Sequence, residues 1–460
     1  MIGEEYVSTP NNVELSKIDI LQRKLYRKAK AEPDYRFYTL YDKIFREDVI
    51  DQAYKQARAN GGAPGVDGVT FKQIEKEGRA EWLADLRKDL IERTYRPSPV
   101  RRVMLPKPGG GERPLGIPTI RDRVAQTAAK LILEPIIEAD LEDCAYGYRP
   151  NRSGVDAVKK VHELIRQGYT DVVDADLSKF FDKIPHAPLL KSVARRIADR
   201  NVLWLIKMWL KAPVEERDSD GKRRIIGGGK QNKLGTPQGG VVSPLLANLY
   251  MNRFLKHWHK TGRGKEFCGH IINYADDFVI LTRKCASEAM EWTKEVMTKL
   301  ELTLNETKTK LKDAKKEHFD FLGYTFGPYT PRKGGRPYMG AGPSKKSVGK
   351  IKTKIGEILV PGNLKPWAEV SKELNATLRG WAGYFNYGAC SKAYRIVDNY
   401  VDETVRHFLR RRHKVRTRGY KEFPGTDIIG KYGVMCLRRV YSKSLPRKTP
   451  AESELLIDMR

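Results

Sequence analysis

Residues Tyr274-Ala275-Asp276-Asp277 lie between two apolar runs, Ile271-Ile272-Asn273 and Phe278-Val279-Ile280-Leu281, and read as the tip of a tight β-hairpin. Paired carboxylates held rigidly out of a sheet are what a two-metal phosphoryl-transfer site requires. Alone, an Asp-Asp turn is more often a solvated loop. Its weight comes from a second acidic strand end upstream, Asp171-Val-Val-Asp174-Ala-Asp176-Leu-Ser-Lys-Phe180-Phe181-Asp182. The two acidic ends meet only if their strands are neighbours in one sheet. At about 4 Å, Asp176 and Asp276 would repel by on the order of 4 kcal/mol at an effective dielectric of about 20. A pair of Mg²⁺ ions offsets that repulsion, because proteins hold magnesium with a few hard oxygen ligands helped by substrate phosphates. One ion would lower the pKa of a primer 3′-hydroxyl and the other would stabilise the leaving pyrophosphate.

The chain around these carboxylates is basic. Its 460 residues carry 86 Lys+Arg against 57 Asp+Glu, a net charge of +29, which is the footprint of a polyanionic partner. The five cysteines, Cys144, Cys268, Cys285, Cys390 and Cys436, are odd in number and scattered, so they imply neither a disulfide framework nor a zinc site and fit a reducing compartment. His257 and His259 are the closest histidine pair, with no acidic or Cys partner at ligand spacing. No run of about 18 apolar residues occurs, and Glu4, Glu5 and Glu14 stand where a leader would be basic or apolar, so a soluble intracellular protein is expected.

Several elements must position the acids. Helices are predicted over Ile18 to Lys30 and Asp42 to Ala59, followed by an ordered Gly/Pro loop from Gly61 to Gly68. A strand from Val100 to Leu105 leads into a glycine-tipped hairpin flanked by Lys107 and Arg113, a point charge and a fork suited to a triphosphate. Further helices are predicted at Asp122–Ile137 and Val155–Gln167, the second capped through Asn151-Arg152-Ser153. Gly235-Thr-Pro-Gln238-Gly239-Gly240 is a turn feeding an apolar helix, its paired glycines allowing a close backbone approach to a ligand.

Downstream, Ser287 caps a predicted helix with Met290, Thr293, Val296, Met297 and Leu300 on its buried face. A short strand at Leu302–Leu304 and a hairpin around His318–Phe326 complete an α+β unit, and Gly334 to Pro343 reads as a linker. Two basic amphipathic helices follow. One carries Val370, Leu374, Leu378, Trp381 and Phe385 on one face; the other carries Tyr394, Val397, Val401, Thr404, Val405 and Phe408. The second ends in Arg410-Arg411-Arg412-His-Lys414-Val-Arg416, where positive charge suits both a helix C-terminus and a phosphate backbone.

The ordered set Asp174-Ala-Asp176-Leu-Ser-Lys-Phe-Phe-Asp182, Thr236-Pro-Gln-Gly-Gly240, Tyr274-Ala-Asp-Asp277 and Phe321-Leu-Gly323 resembles the motif series of reverse transcriptases. More narrowly, Gly62 to Gly68, Arg113-Pro-Leu-Gly-Ile-Pro118, Tyr146-Gly-Tyr-Arg-Pro150 and Leu378 to Phe385 resemble the bacterial group II intron-encoded reverse transcriptase/maturase, over about residues 40 to 415. That resemblance implies an α+β right-hand polymerase with antiparallel sheet in fingers and palm, followed by an α-helical thumb/maturase domain. The implied divisions are a helical extension over 1–60, mainly fingers over 61–170, and palm with inserted fingers helices over 171–343. Thumb/maturase then spans 344–415, and a short basic segment without an endonuclease spans 416–460.

By the same resemblance Asp176, Asp276 and Asp277 are the catalytic metal triad, with the Leu177 carbonyl as an added ligand for two Mg²⁺ ions. Phe181 matches a steric gate against a ribose 2′-hydroxyl, Lys107, Arg113 and Gln238 contact the incoming nucleotide, and Phe321, Leu322 and Gly323 form a primer grip. Asp174 and Asp182 match structural positions. Arg410, Arg411, Arg412, Lys414 and Arg416 are the candidate RNA-binding cations. The implied partners are group II intron RNA, an RNA template with a DNA primer, target DNA and dNTPs, with no membrane; a homodimer stays open, and the location is the bacterial cytoplasm, on the nucleoid when bound to DNA. The function implied is copying of RNA into cDNA together with promotion of intron splicing and mobility. Two alternatives stand beside it: a splicing cofactor with an inert polymerase fold, and an intron-less reverse transcriptase recruited to defence or repair.

Overall fold

A computed structural model describes residues 15–106, 111–217, 220, 222–229, 231–237, 239–330 and 334–444, with side chains to residue 440. The chain divides into two compact units, residues 1–157 with 173–311 and residues 158–172 with 312–460. Among the described residues no helix is long and apolar enough to cross a membrane.

The first unit opens with helices α1 (Lys17–Ala31), α2 (Tyr41–Ile44), α3 (Glu47–Asn60), α4 (Phe71–Glu77) and α5 (Arg79–Glu92). The single helix expected over Asp42–Ala59 is thus two, interrupted at Phe45-Arg46. Asp48 explains the restart: its carboxylate pairs with Arg46 at 2.6 Å and accepts from the Val49 amide at 3.0 Å, so Arg46 is held extended at ψ 141 just outside α3. The Gly/Pro loop is ordered as expected. Arg123, nearly buried, donates to the carbonyls of Gly61, Ala63 and Pro118 and so fixes the loop against the chain that precedes α6.

Strands β1 (Val100–Pro106) and β2 (Glu112–Ile117) form the expected antiparallel hairpin, with Leu105 opposite Arg113. Then come α6 (Ile120–Glu138), α7 (Gly154–Arg166), β3 (Asp171–Asp176), α8 (Phe180–Lys183), α9 (His186–Ala194) and α10 (Arg200–Leu210). Ser153 caps α7 as predicted, its hydroxyl accepting from the Asp156 amide at 3.2 Å. A second hairpin, β4 (Val214–Arg217) with β5 (Arg223–Gly227), extends the first into a sheet of order β2-β1-β4-β5. After α11 (Ser243–Lys260) and α12 (Arg263–Glu266), strands β6 (Gly269–Tyr274) and β7 (Asp277–Thr282) pair antiparallel, and α13 (Ala286–Lys299) and β8 (Lys310–Asp313) follow. The sheet order β6-β7-β3-β8 makes β3 and β7 neighbours, as the acidic strand ends require.

The buried face expected of α13 is present, with Met290, Thr293, Val296, Met297 and Leu300 all in the interior. Two local expectations fail here. Cys285, not Ser287, is the N-cap residue of α13, and no side chain caps it; Ser287 lies within the first turn. Residues Leu302–Leu304 are not a strand: they form one isolated bridge, Leu177 opposite Leu304, closed by the Ser178 amide on the Thr303 carbonyl and the Asn305 amide on the Asp176 carbonyl, each at 2.8 Å.

In the second unit β9 (Phe319–Phe321), β10 (Tyr324–Tyr329) and β11 (Tyr338–Pro343) form an antiparallel sheet of order β11-β10-β9. The expected linker over Gly334–Pro343 is therefore partly a strand. Its glycines mislead because they make room rather than bend the chain: a Cβ on Gly340 would lie 2.5 Å from the Tyr329 ring, which covers that position across the sheet. Helices α14 (Lys345–Ile358), α15 (Trp367–Tyr384), α16 (Ser391–Arg412), α17 (Gly425–Gly430) and α18 (Leu437–Ser444) surround a separate core. Val370, Leu374 and Leu378 of α15 pack there with Tyr394, Val397, Val401, Val405 and Phe408 of α16, matching the two predicted stripes apart from the half-buried Trp381 and Thr404 and from Phe385, which is buried outside this core.

Candidate active site

The β6–β7 turn is two residues long, with Tyr274 opposite Asp277 and Ala275 in the left-handed region at φ 59. A non-glycine residue there costs of order 1 kcal/mol or more and persists only where its surroundings determine it. They do so through a segment that carries no acid. Ala145 bridges Asn273 in parallel, the Tyr146 amide donates to the Asn273 carbonyl and the Asn273 amide to the Cys144 carbonyl, each at 2.8 Å. The Asn273 side chain then donates to the Ala275 carbonyl at 2.9 Å, inside the turn itself. Gly147 lies flat beneath the turn: a Cβ there would stand 2.6 Å from the Ala275 nitrogen. Arg149, paired with Glu138 at 2.6 Å with both side chains nearly inaccessible, ties down the end of the brace through the Glu142 and Ala145 carbonyls.

This scaffold places Asp276 and Asp277 beside the end of β3. The Leu177 amide donates to the Asp276 carbonyl at 3.3 Å. The protein crowded around the Asp277 carboxyl raises its pKa, and the charges of Asp276 and Asp176 and a hydrogen bond to Asp176 raise it further; the residue still reaches solvent, which tempers the effect. Asp276 is likewise raised, by burial first and by Asp176 next. Two groups answer Asp176 directly: Lys308 Nζ at 3.0 Å and Asn305 Nδ2 at 3.1 Å, both on the same carboxylate oxygen. Lys308 is itself raised, chiefly by that hydrogen bond. Among the described residues no three acidic, His or Cys side chains are already arranged around one ion. The donor set fits a divalent cation nonetheless, since three carboxylates act on one another's charge and, among the described residues, a single lysine pairs directly with one of them, Asp176.

The raised carboxyls set a stability test. A carboxyl whose folded pKa exceeds its unfolded value keeps a proton that the unfolded chain releases, so stability falls as pH rises between the two values and is fully retained below the unfolded one. In EDTA, Asp277→Asn is therefore expected to melt at a higher temperature than the parent at about pH 8 and at the same temperature near pH 4, the ordinary carboxylate range. A parent that matches the variant at both pH values shows the crowding to be harmless.

Phe181 follows from a tight reversal after β3. Lys179 is left-handed at φ 52, Phe180 turns into the core, and the half-buried Phe181 presents its ring edge-on to Tyr148, with centroids 6.3 Å apart. The Gly235–Gly240 loop braces this turn: the Thr236 amide donates to the Phe181 carbonyl at 2.7 Å. The same loop rests on β2, where a Cβ on Gly239 would lie 2.1 Å from the Gly116 carbonyl. Arg113 on β2 is exposed and close enough to act electrostatically on Tyr148, whose pKa is raised first by burial and then by Asp276. Lys107 and Gln238 lie outside the described residues.

In the second unit Phe321 is buried and Leu322-Gly323 make a two-residue turn with φ 49 and 80. Tyr384 Oη donates to the Leu322 carbonyl at 2.9 Å, and the Ser344 amide and Ser347 hydroxyl donate to the Gly323 carbonyl, each at 2.9 Å. Of the five cations at the end of α16, Arg411, Arg412, Lys414 and Arg416 are exposed; Arg410 donates to the Thr417 carbonyl, and Arg412 to those of Leu364 and Lys365. Asp174 and Asp182 both have interaction partners. His259 meets an acid from far away in sequence, Glu142 at 2.7 Å, while His257 stacks on Trp292.

Sequence reading left Asn305, Lys308, Asn273, Gly147 and Tyr148 without roles. The run Tyr146 to Pro150 was the usable signal, since a Gly between two Tyr and a following Arg packs four different functions into one bend.

Residues 105–326 match the family described as reverse transcriptase (RNA-dependent DNA polymerase), and residues 348–423 match the group II intron maturase-specific domain. Fold, site and match define a polymerase of the reverse transcriptase class. Protein YkfC of Escherichia coli (strain K12) is 33% identical over 344 residues, covering 67% of this chain and 87% of YkfC. Group II intron-encoded protein LtrA of Lactococcus lactis subsp. cremoris is 34% identical over 245 residues, covering 52% of this chain but 38% of LtrA. The chain belongs to the group II intron-encoded reverse transcriptase/maturase family, which joins an RNA-directed DNA polymerase to a maturase domain.

Proposed function

We propose that this protein copies RNA into cDNA at Asp176, Asp276 and Asp277, which together with the Leu177 carbonyl hold two Mg²⁺ ions, and that it binds its group II intron RNA to promote splicing and mobility. The observation that carries the proposal is the crowding of three carboxylates from β3 and the β6–β7 turn, with Lys308 paired to Asp176. When bound, the metal would activate a primer 3′-hydroxyl and neutralise the departing pyrophosphate. The chain's own residues do the rest. Lys308 and Asn305 hold Asp176 in place and would yield its oxygen to a bound divalent cation. Arg113 and Lys107 bind the triphosphate of a dNTP, Gln238 lies beside the nucleotide, and Arg is suited to its task by its planar donor fork.

By this reading the Phe181 ring is the gate that meets a ribose 2′-hydroxyl, and its edge contact with Tyr148 supports the ring's orientation. Phe321, Leu322 and Gly323 present a primer grip whose carbonyls are tied down from three directions. The helical region 344–415 serves as thumb and maturase surface, with Arg410, Arg411, Arg412, Lys414 and Arg416 on the RNA backbone. RNA template with DNA primer, and target DNA, are the remaining partners.

Primer extension on an RNA template tests this reading. The parent should extend with dNTPs and discriminate against ribonucleotides. Phe181→Ala should keep dNTP extension within about 10-fold and lose discrimination by about 10- to 100-fold, the worth of one steric contact of 1–3 kcal/mol. Unaltered discrimination in Phe181→Ala would remove the gate assignment, and no cDNA from the parent under any template would remove the polymerase reading.

A further inference from the structure

Helices α9, α11 and α13 line an open cavity of about 400 Å³ whose lining includes Arg195, Arg253, Lys256, Lys260 and Lys299. Arg253, Lys256 and Lys260 follow one another at spacings of three and four, so they lie along one face of α11. Asp140 is the single carboxylate in the lining; Arg196 pairs with it at 3.2 Å, and Lys256 also acts on it electrostatically. Among the described residues none of the five cations forms an ion pair; Arg253 lies over the Tyr250 ring, 5.1 Å from its centroid. The floor is apolar, from Leu249, Val296 and Leu300, and His257 stands at the rim, stacked on Trp292.

Helix ends account for part of this charge. Arg195 and Lys299 lie at the C-terminal ends of α9 and α13, and Lys256 and Lys260 near that of α11, where cations complement the macrodipole. Three helix ends of about half a negative charge each offset about 1.5 charges of the five. Arg253 lies two turns inside α11 and is beyond that effect. Five cations that share one carboxylate, Asp140, itself paired with Arg196, are stabilised by an anion brought from outside.

We infer that this cavity is a phosphate-binding site for the backbone of a folded RNA, separate from the residues assigned to the polymerase site and to the α16 cations. The row from Arg253 to Lys260 runs about 10 Å at 1.5 Å per residue. A duplex strand advances about 3.4 Å per phosphate along its axis, so the row spans about three such steps, more than a single orthophosphate fills. The inference rests on the reading of an RNA-binding polymerase but fails or succeeds apart from it.

The test uses the full chain with Arg195, Lys260 and Lys299 all changed to Ala, positions whose exposure lets the fold stand, and the same three changed together to Lys, Arg and Arg as the charge-preserving control. Binding of a folded RNA hairpin is measured over about 50 to 200 mM salt. Each lost phosphate contact lowers the salt slope by about one, so the Ala variant should lose about three from the slope and bind at least about 10-fold more weakly at the lower salt. The control should keep the slope, and primer extension on a saturating short template–primer duplex should proceed at the parent rate in both. Unchanged affinity and slope in the Ala variant overturn the site. Tripolyphosphate binding to the parent as tightly as the hairpin, with both lost in the Ala variant, overturns RNA as its ligand in favour of a small polyphosphate. Loss of extension in the parent itself would fall on the polymerase reading and leave this result standing.

Discussion

Asp276→Ala is expected to lower primer extension by about 10³-fold or more while template–primer binding stays near the parent's. Removing one ligand from a two-metal site forfeits several kcal/mol of transition-state stabilisation, and each 1.36 kcal/mol is about a factor of ten. The substituted position lies on a turn whose backbone is held by Asn273 and by the Cys144–Tyr146 brace, so the fold does not depend on the lost carboxylate. Loss of one of three crowded negative charges should also raise the melting temperature in EDTA. Single-turnover extension with Mg²⁺ reads the effect. A variant within about 10-fold of the parent would show that Asp276 holds no catalytic metal.

Gly147→Ala should cost about 10²-fold in turnover without touching any group that reacts. Its Cβ would stand 2.6 Å from the Ala275 nitrogen and 3.1 Å from the Tyr274 carbonyl carbon, both backbone atoms that cannot swing aside. The turn must shift, and an ångström of misplacement at a reacting centre is worth about that factor. Gly147 is not in the left-handed region, so the penalty is close approach rather than backbone strain. Circular dichroism should find the variant folded, while its rate saturates at a lower level with dNTP. A rate equal to the parent's would mean the brace does not position the turn.

Much of this site was legible because its parts obey local rules. The β6–β7 hairpin shows apolar runs on both sides of a two-residue acidic turn, and Phe321-Leu322-Gly323 sits between short strands in the same way. The stripes of α15 and α16 follow helical spacing. What escaped reading depends on distant chain. Lys308 and Asn305 meet Asp176 across 132 and 129 residues, and no periodicity marks them. Strand β11 was hidden by Gly340 and Gly342, since a glycine that makes room for the Tyr329 ring looks in sequence like a glycine that bends a loop. Ser287 obeyed the capping rule, yet α13 begins before it, showing that a suitable residue does not by itself fix a boundary.

The most direct test is a crystal structure of the protein with RNA template, DNA primer, a non-hydrolysable dNTP and Mn²⁺, with the metal located by anomalous scattering. Two peaks should appear, liganded at about 2.0–2.2 Å by carboxylates of Asp176, Asp276 and Asp277, with Lys308 withdrawn from Asp176. Metal bound elsewhere in an extension-competent complex, or Lys308 still seated on Asp176 with both metals present, would contradict it.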